Sequence, residues 1–137
     1  MSSPRTSRRR SAPMRLLPDT HALLWLLDDD PRLGKRAARL LTDPANEVLL
    51  SAAVVWEVAI KRSLEKLVAP DGFASLLLDA GASSLAVTVE HAWAVQSLPW
   101  HHRDPFDRLL VAQAKLERAV LVSGDERMSA YDVRVEW

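Results

Sequence analysis

Five acidic residues stand where a parallel α/β sheet would gather them: Asp19, Glu57, Asp104, Asp107 and Asp125. Asp19 closes the run Met14-Arg15-Leu16-Leu17-Pro18, and Asp125 follows an apolar run at 119–122. Glu57 lies near the start of a helical pattern that leaves a second apolar run, and Asp104 and Asp107 share the first turn of another. In an open α/β sheet, ligands bind beyond the carboxyl ends of the strands. Carboxylates gathered there repel, by roughly 4 kcal/mol for a pair about 4 Å apart at an effective dielectric near 20. Either some keep protons at raised pKa, or a cation sits among them. The chain has no Cys, so the donors are hard oxygens, which suit Mg²⁺ or Mn²⁺. A water activated by such an ion can attack phosphorus in line.

Each acid also has a purely structural reading. Asp104-Pro105 is a helix N-cap followed by Pro at the first position, and Asp107 is then the acidic third residue of a capping box. Asp19 before Thr20 suits an Asx-turn, and Asp125 after Gly124 suits a turn or cap. Glu57 is harder to dismiss, because it stands among Val54, Val55, Val58 and Ala59. Five unrelated caps at one sheet edge are a weaker account than one metal site.

The elements that must position these acids alternate between short apolar runs and helical patterns, which predicts βαβ units and a mostly parallel sheet. Strands are expected at 14–18, 47–50, 85–89, 119–122 and 133–135. Pro18 cannot donate to a ladder and is tolerable only at a strand's end. Helices are expected at 22–27, 33–41, 51–66 with Ser51 as cap, 73–80 ended by Gly81, 90–97 and 104–118, with one helical turn at 126–130.

With 137 residues, 48% of them apolar and 26% charged, the chain has the size and balance of one globular domain. Its formal net charge of +0 hides an asymmetry. Residues 1–13 carry Arg5, Arg8, Arg9 and Arg10 and no acid, so residues 14–137 are net acidic. Phosphate neutralisation alone would call for a basic domain. Residues 1–13 read as a disordered basic leader or a start placed upstream of Met14; an Arg- and Ser-rich transit peptide is the lesser alternative. Asp19 to His21 and Asp28 to Asp30 interrupt the apolar stretch that follows. A secretory signal or membrane span is therefore not expected, and a cytoplasmic location is.

The motifs resemble a PIN domain of the VapC ribonuclease-toxin type. They stand as Leu16-Leu17-Pro18-Asp19-Thr20-His21, Ser51 to Arg62 with Trp56-Glu57 at its centre, and Leu98-Pro99 with His101-His102. Asp104-Pro105-Phe106-Asp107-Arg108 with Ala112-Gln113-Ala114, and Leu121-Val122-Ser123-Gly124-Asp125, complete them in the family's order across 14–137. The resemblance implies an α/β/α sandwich and Mg²⁺- or Mn²⁺-dependent RNA hydrolysis leaving a 5′-phosphate. It implies metal ligation by Asp19, Glu57, Asp107 and Asp125, with Asp104 as an additional acid and Thr20 and Ser123 bracing the carboxylates. A VapB-type antitoxin and a homodimer are the implied partners. Pro18 replaces a usual aliphatic residue, Glu65 stands where Gly is common, and the leader is unusual.

Other residues admit several assignments. His21, His101 and His102 are candidate ligands, but the acids suffice; phosphate binding or a loop hydrogen bond suits His101 and His102 better. Lys61, Arg62, Arg103 and Arg108 read equally as phosphate-steering groups or solvated helix faces. Of the five Trp residues, Trp100 is singled out as a base-stacking candidate, with core or dimer packing expected for most. Two other functions stay open. An aspartyl-phosphate phosphotransfer or phosphatase domain would suit the fold, although position 21 is His and not the second acid such a site wants. A non-catalytic interaction module would use the acids only as caps.

Overall fold

The computed structural model describes residues 12–137. The expectation for the leader falls almost wholly on residues outside that range. The strands are β1 (Arg15–Pro18), β2 (Glu47–Ser51), β3 (Ser83–Leu85), β4 (Val120–Val122) and β5 (Val135–Glu136). The helices are α1 (Thr20–Leu27), α2 (Lys35–Thr42), α3 (Ala52–Ser63), α4 (Phe73–Asp79), α5 (Val89–Ala94) and α6 (Pro105–Glu117). Short 3-10 turns form at Val95–Ser97 and Glu126–Ala130.

All five strands are parallel, in the order β3-β2-β1-β4-β5. The two margins, β3 and β5, are short. Sidedness follows the alternation of strand side chains. Leu17, Leu49 and Leu121 face one core with residues of α3, α4 and α6. Leu16, Val48, Val120 and Val122 face the other with α2 and Trp137. A sheet buried on both faces reads as a near-continuous apolar run, as Leu16-Leu17 and Leu121-Val122 do. The result is the expected α/β/α sandwich, and its sheet is wholly parallel.

Strand order reverses at β1, because β2 and β3 lie to one side and β4 and β5 to the other. The switch point, where ligands bind in such sheets, therefore falls at the carboxyl ends of β1 and β4. Pro18 is the last residue of β1, paired with Val122, and the ladder is continued by the Asp19 amide donating to the Val122 carbonyl at 3.0 Å.

Most element boundaries shift by one to three residues from the sequence reading, and three of the differences concern β3, α3 and β5. β3 uses Ser83–Leu85 and not the apolar run at 85–89, since pairing with β2 fixes it at the margin. Thr88 instead caps α5 in a box completed by His91. α3 stops at Ser63, short of Lys66, because Glu65 turns left-handed (φ 55°) and the Lys66 amide bonds back to the Lys61 carbonyl at 2.8 Å. This is the helix-ending motif that favours Gly. β5 forms at Val135–Glu136 and not at 133–135.

Candidate active site

The acids reach the cleft because they start helices. Asp19, Asp104 and Asp125 are the N-caps of α1, α6 and the 126–130 turn. Their side chains accept from the amides of Ala22 at 2.9 Å, Phe106 and Asp107 at 2.8 and 3.0 Å, and Arg127 at 3.0 Å. A helix N-terminus favours a carboxylate. The capping reading thus holds for these three, yet all three also line one cleft of about 600 Å³ together with Glu57, Asp107 and Thr20. Capping and clustering are the same event here, since each helix begins at the same end of the sheet.

Glu57 is buried on α3 and held from both sides. The Thr20 hydroxyl donates to Oε1 at 2.5 Å, and Lys61, one turn along, donates to Oε2 at 2.7 Å. Ser123 is buried behind the cleft; its hydroxyl accepts from the Asp125 amide at 3.1 Å and stabilises the Asp19 carboxylate.

Asp107 departs from its structural reading. In a capping box its carboxylate would take the Asp104 amide, but that amide donates to His102 Nδ1 at 3.1 Å. His102 has displaced Asp107 from the box and freed it to face the cleft. Because Nδ1 accepts, the imidazole proton sits on Nε2. Nε2 lies 2.9 Å from Asp125 Oδ2 and 3.1 Å from Asp107 Oδ2. The buried ring ties α6 to the loop after β4.

Arg108 fixes the loop that carries His102. Its guanidinium is buried and donates to the carbonyls of Val95, Leu98 and Pro99 at 2.9–3.3 Å, reaching His102 O and Tyr131 Oη at 3.4 and 3.3 Å. The Trp100 ring covers it at 3.8 Å. The Tyr131 hydroxyl in turn accepts from the His102 amide at 2.9 Å. Neither sequence reading of Arg108 survives: it is neither a phosphate-steering group nor part of a solvated face. Trp100 is 75% exposed but lies on Arg108, outside the residues that line the cleft.

The cleft carries excess negative charge. Burial raises the Asp107 carboxyl to about 7, with Asp104, Asp19 and Glu57 adding to the rise and His102 opposing it. Burial also raises Asp19, against hydrogen bonds from Ser123 and Ala22. Asp125 goes the other way, to about 2, chiefly through its hydrogen bond from Arg127, with His102 contributing. A cluster that must hold protons to relieve itself is one a cation would relieve instead. His102, Asp107 and Asp125 each offer an atom within 4.8 Å of the others. Both nitrogens of His102 are engaged, which leaves the carboxylates as donors, and carboxylate oxygens without thiolate fit a hard divalent ion.

Sequence reasoning carried His102 as a lesser candidate ligand and favoured a phosphate contact or a loop hydrogen bond; the bond to the Asp104 amide is of the last kind, and the hold on Asp107 and Asp125 was not foreseen. The available signal was its position two residues before the N-cap, where a side-chain acceptor can reach the cap's amide.

A wholly parallel sheet whose switch point opens into a carboxylate cleft defines a doubly wound class of α/β domain with its ligand site at the carboxyl edge of the sheet. Within it the profile of the PIN domain family matches residues 16–134, and the chain belongs to that family. Among solved structures it is similar to VapBC2 from Rickettsia felis bound to a promoter DNA fragment, with a TM-score of 0.65 and 16% identity over 90% of this chain and 98% of that chain. It is also similar to FitAB bound to the IR36 DNA fragment, with a TM-score of 0.52 and 18% identity over 88% of this chain and 93% of that chain. These two likenesses speak for the fold. No curated sequence matches significantly. Among the described residues, no helix is long and apolar enough to cross a membrane.

Proposed function

We propose that the protein is a metal-dependent endoribonuclease, the toxin of a VapBC-type toxin–antitoxin pair. The observation that carries this reading is the gathering of Asp19, Glu57, Asp104, Asp107 and Asp125 into one cleft, with the Asp107 proton held to about pH 7. Membership of the PIN family supports it, and so does the structural likeness to VapBC2 and FitAB. Asp19, Glu57, Asp107 and Asp125 would hold Mg²⁺ or Mn²⁺, with Asp104 beside them. When bound, such an ion supplies Lewis-acid activation of water and neutralises charge developing on a phosphodiester.

The chain's own residues orient that site. Thr20 and Lys61 fix the two oxygens of Glu57. Ser123 steadies Asp19 and the Asp125 amide, and His102 holds Asp107 and Asp125 at one separation. A VapB-type antitoxin and a second copy of the chain are the proposed protein partners, and the cytoplasm the proposed location.

The direct test is RNA cleavage by the purified protein. Cutting should require Mg²⁺ or Mn²⁺, stop with EDTA, leave 5′-phosphate ends, and vanish in Asp19→Asn while the fold persists. An Asp19→Asn protein that cuts as fast as wild type would remove the basis for the proposal. Pull-down of a small DNA-binding protein encoded beside the gene tests the antitoxin.

A further inference from the structure

The cleft has a second kind of wall. Beside the acids it is lined by His21, Trp25, Trp137 and Arg32. The ring centroids of His21 and Trp25 lie 5.3 Å apart, and those of Trp25 and Trp137 lie 5.9 Å apart at 62°. Both indoles pack on the α2-side core yet stay part-exposed. Trp137 is seated against two glycines. A Cβ at Gly124 would come within 2.8 Å of its ring, and one at Gly34 within 2.7 Å of its backbone. Only the missing side chains let Trp137 lie directly on the loop that carries Asp125.

The cations around the cleft are already engaged. Lys61 pairs with Glu57 at 2.7 Å, Arg127 with Asp125 at 2.9 Å, and Arg32 with Asp30 at 2.7 Å. A polyanion entering here meets acids and paired cations, so phosphate neutralisation gives it little hold. The Arg32 guanidinium lies 4.8 Å from the Trp25 ring centroid and covers one face, so what remains is the part-exposed surface of Trp25 and Trp137 and the guanidinium plane itself, and each of these can stack on a base. A phosphodiester placed at the acids would put its neighbouring nucleoside within the same cleft.

We infer that the Trp25–Trp137 wall is a stacking subsite for a nucleobase of single-stranded RNA next to the cleaved phosphate. The inference rests on the ribonuclease reading and adds a binding determinant to it. The sequence pointed to Trp100 for this role; the structure moves it to Trp25 and Trp137, which are 112 positions apart in the chain and adjacent in space.

The experiment compares wild type with Trp25→Leu, which keeps apolar packing but removes the π-face, and with Trp25→Phe, which restores a ring. Trp93→Ala, exposed on α5, is the surface control. Cleavage in Mn²⁺ is measured on one RNA and on copies carrying an abasic ribose at successive positions around the cut. Trp25→Leu should raise KM about tenfold with kcat unchanged, while Trp25→Phe and Trp93→Ala stay near wild type. One abasic position should raise the wild-type KM by a similar factor and add nothing in Trp25→Leu. In an Asp19→Asn background, 2-aminopurine at that position should be quenched on binding, and the quench should disappear with Trp25→Leu. If wild type cuts RNA but folded Trp25→Leu matches its KM and its abasic profile, the wall serves a protein partner or packing alone. That result overturns the subsite and leaves the nuclease intact. Wild type that neither binds nor cuts RNA overturns both.

Discussion

Replacing Asp107 by Asn should stabilise the metal-free protein, and by an amount that grows with pH. The Asp107 carboxyl rises from 3.8 to about 7 on folding. At about 1.36 kcal/mol per pH unit, this means its ionised form opposes folding by at most about 4 kcal/mol. The folded state holds this proton more tightly than the unfolded chain does. Its contribution to stability is therefore full below pH 3.8 and declines as pH rises toward about 7. Between pH 5 and pH 8 the decline amounts to roughly 2–3 kcal/mol. Asn keeps an acceptor for His102 Nε2 and carries no charge, so the variant should lack that decline. In EDTA its melting temperature should exceed wild type by up to about 14 °C at pH 8, and by clearly less at pH 5. Adding Mn²⁺ should reverse the order. Wild type should gain about 2.7 kcal/mol at a hundred times its dissociation constant, and the variant should gain little. Thermal unfolding at both pH values, with and without Mn²⁺, reads all four quantities. Parallel stability–pH curves for the two proteins would refute the claim that Asp107 is a strained carboxyl, and with it the electrostatic case for a cation.

Four further outcomes are expected. Arg108→Leu strands backbone carbonyls of the 95–102 loop and should cost about 3 kcal/mol by urea titration, whereas a solvated Arg would cost almost nothing. Thr20→Val removes the hydroxyl held by buried Glu57; a loss of about 1–3 kcal/mol and slower RNA cleavage should follow. Glu65→Gly relieves a left-handed residue at φ 55° and should raise stability by about 1 kcal/mol without changing cleavage. Gly124→Ala drives a methyl toward the Trp137 ring and should destabilise by about 1–3 kcal/mol, seen as a lower denaturation midpoint.

Much of the architecture was legible because burial on both sheet faces leaves continuous apolar runs. Leu16-Leu17 and Leu121-Val122 declare β1 and β4, and the acids after them mark the sheet's carboxyl edge. β3 was misplaced because a marginal strand is set by backbone pairing; Ser83 and Ser84 form ladder bonds with nothing apolar to advertise them. The caps Asp19 and Asp104 were readable from their successors Thr20 and Pro105. What was not readable depends on partners remote in sequence. His102 is 23 residues from the Asp125 it holds. Arg108 looks like a surface residue until the 95–102 loop wraps it in carbonyls. Trp137 gains a role only when Gly34 and Gly124 leave room for it.

The shortness of the sheet's outermost strands shapes how this molecule can assemble. Ser83–Leu85 and Val135–Glu136 present too few free amides and carbonyls to recruit a neighbour's backbone into a continuous intermolecular sheet. Among the described residues, association between copies therefore falls to side chains projecting from the surrounding layers. Its strength should respond to changes there while remaining indifferent to changes at the rims.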